Sequence, residues 1–156
     1  MKFIRCVIYL ALTGFWGFLV GRILPKKWFK HDSTWFSSRA FELDGKFYDR
    51  FAIRKWKDHL PDMSKVFPRW MPSKSPKMGR QTAEDVKLNL QETCVAEVIH
   101  NVLAMLGFGC VRIWSGPGGV VMALLCLLGN VPFVMVQRYN RPRFAKLYDR
   151  LKRASE

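Results

Sequence analysis

Acidic side chains are scarce in this sequence: 12 Asp and Glu stand against 26 Lys and Arg, giving a formal net charge of +14 over 156 residues. Histidine is scarcer still, with three, and the four cysteines are Cys6, Cys94, Cys110 and Cys126. No two cysteines form a C-x-x-C pair and all lie in apolar runs. That argues against a structural zinc site or a disulfide framework and reads as packing. No serine occupies a nucleophile elbow, which disfavours an acyl-enzyme through serine. Internal repeats are absent, and no nucleic-acid fold signature accompanies the basic residues.

Long apolar runs are what the chain has in quantity. Three approach the ~20 residues that a ~30 Å hydrocarbon layer requires: about 3–24, 94–114 and 117–137. The expected fold class is therefore an all-α integral membrane protein, one membrane domain over 1–156. Three transmembrane helices would be joined by interfacial amphipathic helices in 25–93 and followed by a basic C-terminal helix over 138–156. Lys2 and Arg5 precede the first run as in a signal peptide, but no small-x-small cleavage site follows, and Phe15, Trp16 and Phe18 continue to Arg22 as in a retained anchor.

Charge then sets the expected topology. Of the Lys and Arg, 16 lie in 22–93 and 7 from Arg138 onward, leaving Lys2, Arg5 and Arg112 for the other side. The positive-inside rule gives an outside N-terminus and a cytoplasmic C-terminus in the cell membrane. Much of the positive charge is thus topology signal and attraction to anionic lipid.

Within 25–93, the stretch from Asp44 to Leu60 has Phe47, Phe51 and Arg54 on one face, which suits an interfacial helix ending before Pro61; a hairpin across Asp44-Gly45 is the alternative. Pro61 to Gln81, with four prolines, reads as irregular loop. Thr82, with Asp85 three residues on, reads as the N-cap of the helix that leads into the second span. Ser115 to Gly119 forms the turn between the second and third spans, a tight antiparallel hairpin.

Ionisable groups inside a span mark function by default. Glu97 and His100 stand at i, i+3 on one helix face, with Asn101 at i+4 from Glu97. Counting residues inward from the boundary puts His100 and Asn130 both roughly 9–10 Å deep, so they can face each other across the hairpin. Pro132 removes a backbone donor and should open the third helix beside Asn130. After that span, Arg138, Arg141 and Arg143 with an interleaved aromatic and proline argue for a shaped loop able to grip phosphates.

These stretches carry a resemblance. Gly45-Lys46-Phe47, Arg54-Lys55-Trp56-Lys57, Glu92-Thr93 with Ala96-Glu97 and Ile99-His100, and above all Asn130-Val131-Pro132 with Val136 to Arg143 (VQRYNRPR) resemble the glycosyl-4,4'-diaponeurosporenoate acyltransferase family. Its members are small bacterial membrane proteins that esterify the sugar of a glycosylated carotenoid with a fatty acid. The resemblance implies acyl transfer to a hydroxyl of a lipid-linked acceptor; no resident cofactor or metal is expected, and acyl-coenzyme A, available on the cytoplasmic side where topology puts the basic residues, is the expected co-substrate. The partners implied are membrane lipid and a lipid-linked sugar, not nucleic acid.

Ester formation from a thioester needs a base, an orienter for the base and donors for the oxyanion. His100 is the candidate base, Glu97 its orienter, and Asn130 or Asn101 the oxyanion donor. Lys55, Arg138, Arg141 and Arg143 would hold donor phosphates; Trp56, Glu92, Gln137, Tyr139 and Asn140 complete the substrate-binding set. No Asp follows His100 at four or five residues, so the His/Asp pattern of glycerolipid acyltransferases is missing. Two rivals remain. A metal-dependent enzyme using Glu97-x-x-His100 would have only two ligands, and a non-enzymatic membrane adaptor or lipid-binding subunit would need none of this chemistry.

Overall fold

The computed structural model describes residues 1–61 and 81–155, and among these it is helical with no strand. Helix α1 (Lys2–Ile23) is followed by a single 3-10 turn at Lys26–Trp28. A 3-10 stretch, Ala40–Phe51, leads into the one-turn helix α2 (Ile53–Trp56). Then come α3 (Ala83–Leu106), the short α4 (Gly109–Ile113) and α5 (Pro117–Arg153). Three helical stretches are long and apolar enough to cross a membrane: Lys2–Ile23, Ala83–Ile113 and Pro117–Arg153. This is a helical membrane protein. The proline-rich loop expected over Pro61 to Gln81 lies, from 62 to 80, outside the described residues.

The capping signal before the second span is realised. Thr82 Oγ1 accepts from the Asp85 N–H at 3.2 Å, and Asp85 Oδ2 accepts from the Thr82 N–H at 3.0 Å. These two bonds satisfy donors that a helix start otherwise leaves bare. The helix breaks at Gly107–Phe108 between α3 and α4. There the Tyr9 hydroxyl of α1 donates to the Leu106 carbonyl at 2.8 Å, supplying a partner where water cannot. At the hairpin, α4 and α5 approach so closely that a Cβ on Gly119 would stand 2.1 Å from the Trp114 carbonyl oxygen. Cys6, Cys110 and Met122 form the apolar cluster at this end, with Tyr9 and Trp114 packed against it.

Two expectations are corrected here. VQRYNRPR is helix, not a shaped loop: α5 runs unbroken for 37 residues with Pro132 and Pro142 inside it. At 1.5 Å per residue it is about 55 Å long, well beyond a ~30 Å hydrocarbon layer, so its C-terminal part projects into the headgroups and water. Asp44–Leu60 forms neither one amphipathic helix nor a hairpin. Leu43, Asp44 and Gly45 all have positive φ, the chain turns there, and Ala52, also at positive φ, separates the 3-10 stretch from α2.

Candidate active site

The principal helix–helix interface is between α3 and α5, and it brings most of the intramembrane polar groups together. His100 Nδ1 lies 2.8 Å from Asn130 Oδ1 across it. The Asn130 amide is held by a second bond, Nδ2 donating to the Cys126 carbonyl at 2.9 Å. A carbonyl can only accept, so the NH2 must face Cys126 and Oδ1 must face the imidazole. His100 therefore carries its proton on Nδ1, and Nε2 is the basic nitrogen. Phe133, one turn along α5, stacks on the imidazole with ring centroids 4.4 Å apart and planes within 10°. These three residues fix the position, tautomer and tilt of the ring.

The imidazole borders a cavity of about 110 Å³ lined by His100, Asn101, Asn130, Tyr48, Val131 and Met135, among others. Most of its wall is apolar, with the polar groups on one side.

Glu97 lies one turn nearer the charged end of α3 and turns both carboxylate oxygens to α5. Oε1 accepts from Arg138 Nε at 2.8 Å, and Oε2 accepts from Arg141 at 2.5 Å. The partner of His100 Nδ1 is thus the Asn130 amide, and the carboxylate expected to orient the imidazole is held by arginines. Asn130, expected as an oxyanion donor, gives its oxygen to His100 and its nitrogen to Cys126.

Arg138 also reaches Glu42 of the 3-10 stretch, at 3.0 and 3.1 Å, and the Trp35 carbonyl at 3.2 Å. Arg141 is 4% exposed; it donates to Thr93 Oγ1 at 3.0 Å and to the carbonyls of Phe36 at 2.8 Å and Thr93 at 3.1 Å. Two carboxylates and two guanidiniums thus form a neutral, hydrogen-bonded unit, the only form in which such charges are tolerated away from water. Both guanidiniums are largely buried. A cleft of about 240 Å³ on the water side of this unit has Arg138, Arg141 and Lys146 in its lining, but also Glu42, Asp44 and Asp149. Its charges cancel, so it offers no particular attraction to phosphate.

Glu42 and Tyr48 were not among the expected site residues, and Thr93 entered only as part of the Glu92-Thr93 match. Tyr48 is buried and its hydroxyl donates to Glu42. Burial, and then the bond to Glu42, raises the Tyr48 pKa, so the phenol stays protonated. Burial opposes ionisation of Glu42, yet bonds from the Arg39 N–H, Tyr48 and Arg138 outweigh it and hold its pKa below the ordinary value. The signal for Glu42 was faint: an acid three residues after Arg39, whose N–H it caps at 2.7 Å.

The remaining expected site residues separate into two groups. Glu92 pairs with Lys26 at the foot of α1, and Tyr139 is 3% exposed in a cluster with Tyr48 and Ile53. Trp56 packs on that cluster and donates to the Phe51 carbonyl at 2.9 Å. Arg143 lies over the Tyr139 ring, 3.5 Å from its centroid, while Arg54 donates to the Tyr139 hydroxyl at 3.0 Å. Lys55 and Asn101 are exposed, and Gln137 and Asn140 are half-buried on α5. The basic groups at the surface beside this cluster are Arg54, Lys55 and the partly exposed Arg143.

A sequence profile described as glycosyl-4,4'-diaponeurosporenoate acyltransferase matches residues 31–150. The chain belongs to the glycosyl-4,4'-diaponeurosporenoate acyltransferase family. A curated relative of that name from Staphylococcus aureus (strain MRSA252) is 32% identical over 142 residues, covering 88% of this chain and 82% of its own length. Those from strains bovine RF122 / ET3-1 and USA300 are 31% identical over the same coverage. No solved structure matches. As a member of this acyltransferase family the chain is an enzyme, and the matched residues take in the arginine–carboxylate unit, the His100 cavity and the Tyr139 cluster, but not α1.

Proposed function

We propose that this acyltransferase moves a fatty-acyl group from acyl-coenzyme A to a sugar hydroxyl of a glycosylated carotenoid in the membrane, with His100 as general base. The observation that carries the reading is the Asn130–His100 pair, which assigns Nε2 as the basic nitrogen of a ring that borders a cavity between two spans. The relatives' name supplies the acceptor class.

In the reaction the acceptor hydroxyl gives its proton to His100 Nε2 as its oxygen bonds to the thioester carbonyl carbon. The tetrahedral intermediate expels the thiolate by breaking the C–S bond, and the imidazolium returns the proton to sulfur. Ester and coenzyme A result. Asn130 is a positioning residue, because its oxygen holds Nδ1–H. The ring thus works as a base by placement. Glu97, Arg138 and Arg141 hold the scaffold that docks the 3-10 stretch on the helices. Lys55, Arg54 and Arg143, at the water side, meet the donor phosphates, and Glu92 serves the fold through Lys26.

A cavity of about 110 Å³ accepts the reacting hydroxyl and thioester rather than a whole sugar and acyl chain. The apolar tails lie alongside the spans. Comparative lipidomics of cells with and without the gene tests the reaction: the expected difference is a glycosylated carotenoid that gains one fatty-acyl mass only when the gene is present. Unchanged acylation of that class would refute it.

A further inference from the structure

The faces of α3 are unequally covered. One packs on α1, where a Cβ on Gly17 would stand 3.0 Å from Leu103 and one on Gly21 3.3 Å from Ile99. The next, with Glu97, His100 and Ala104, turns to α5. Asn101 lies at the edge of this second face. Its side chain is exposed beside Val102 and Met105, which are 46% and 75% exposed.

Asn101 lies within the second apolar stretch, Ala83–Ile113, so this surface is expected to face hydrocarbon rather than water. Among the described residues the Asn101 amide makes no hydrogen bond, which is unfavourable in lipid. The amide is nevertheless continuous with the candidate active site, because Asn101 lines the same cavity as His100 and Asn130. Val131, in that lining too, is 41% exposed on α5.

We infer that the His100 cavity opens sideways into the bilayer at Asn101, and that the Asn101 amide binds the sugar of the lipid-linked acceptor through a hydroxyl next to the one that reacts. This rests on the reading of His100 as base. The choice of a sugar follows from the amide itself. It presents two donors and one acceptor, matching a hydroxyl, which donates and accepts, whereas a thioester carbonyl only accepts. Lateral entry suits the acceptor, whose apolar body stays among the lipid chains while its polar head reaches the imidazole.

The test uses the full-length protein in liposomes containing glycosyl-4,4'-diaponeurosporenoate, with hexadecanoyl-coenzyme A added outside. Asn101→Leu is expected to raise KM for the acceptor about tenfold, as for one lost hydrogen bond of ordinary strength. KM for the donor should be unchanged, kcat should change less, and Asn101→Gln should recover part of the loss. An unchanged acceptor KM would overturn the inference. So would a fall in kcat alone, which would put the amide on the oxyanion. Disulfide-linked dimers of an Asn101→Cys protein in its native membrane would overturn it as well, by showing that a second copy covers the amide. If Asn101→Leu fails to accumulate, the same KM comparison on Asn101→Ser decides. Full turnover by His100→Ala would instead overturn the base assignment, whereas an inactive His100→Ala with normal Asn101→Leu kinetics would overturn this inference alone.

Discussion

Glu97 holds two arginines at once, and removing it leaves both guanidiniums buried with only Glu42 to compensate them. Losing one partner of a buried pair costs about 3–5 kcal/mol. Glu97→Ala is therefore expected to lower the thermal stability and membrane abundance of the protein, and a detergent melting curve indistinguishable from wild type would contradict the clamp role. Glu42 gives the same unit a pH dependence. Its folded pKa lies below the ordinary 4.5, so its contribution is present above that value and is lost as pH falls through the lowered one. In melting scans from about pH 7 to pH 3, Glu42→Gln should start less stable and lose less on acidification. The ion pair could not be read from spacing alone. Glu97 sits one turn from His100 along the helix, but two guanidiniums from α5 offer it charge-assisted bonds that an imidazole with a better-placed amide partner does not.

At the scale of elements, the 3-10 stretch is fastened to α5 by a turn with little tolerance for side chains. Gly45 has φ of +86°, and a Cβ there would stand 3.1 Å from the Tyr139 carbonyl oxygen and 2.9 Å from Arg143. Gly45→Ala combines a left-handed backbone with a close contact and should cost about 1–3 kcal/mol, measured as a shift in melting temperature. An Ala variant as stable as wild type would mean that the turn is not held this way. Spans and the Thr82 cap were legible because apolar length and capping chemistry are local. The path of residues 40–59 was not: three consecutive positive-φ residues break a pattern that on periodicity alone looked helical. The continuity of α5 beyond the third span through Pro142 was hidden for a related reason, since proline weakens a helix locally while the packing of α3 against α5 sustains it.

Over the whole molecule, three apolar helices and a 37-residue α5 that outruns the bilayer put the Tyr139 cluster and the hairpin turn at opposite faces. On the positive-inside rule, the distribution of Lys and Arg is expected to orient the protein with that cluster in the cytoplasm. In a cysteine-free background, Ser115→Cys is expected to react with an impermeant maleimide added to intact cells, while Ser155→Cys should react only after permeabilisation. Labelling of both from one side would end the three-span topology. Under the proposed function, a donor on the water side and an acceptor from the lipid side would meet at the inner end of the α3–α5 interface.

Turnover of purified His100→Ala in liposomes, under single-turnover conditions with donor and acceptor saturating, tests general-base catalysis at its source. Loss of the imidazole should slow acyl transfer by about 10²- to 10⁴-fold while the protein inserts, accumulates and melts as wild type. A His100→Ala protein that turns over at near wild-type rate would exclude His100 as the base and leave the His100–Asn130 pair as a hydrogen-bonded tie between two spans.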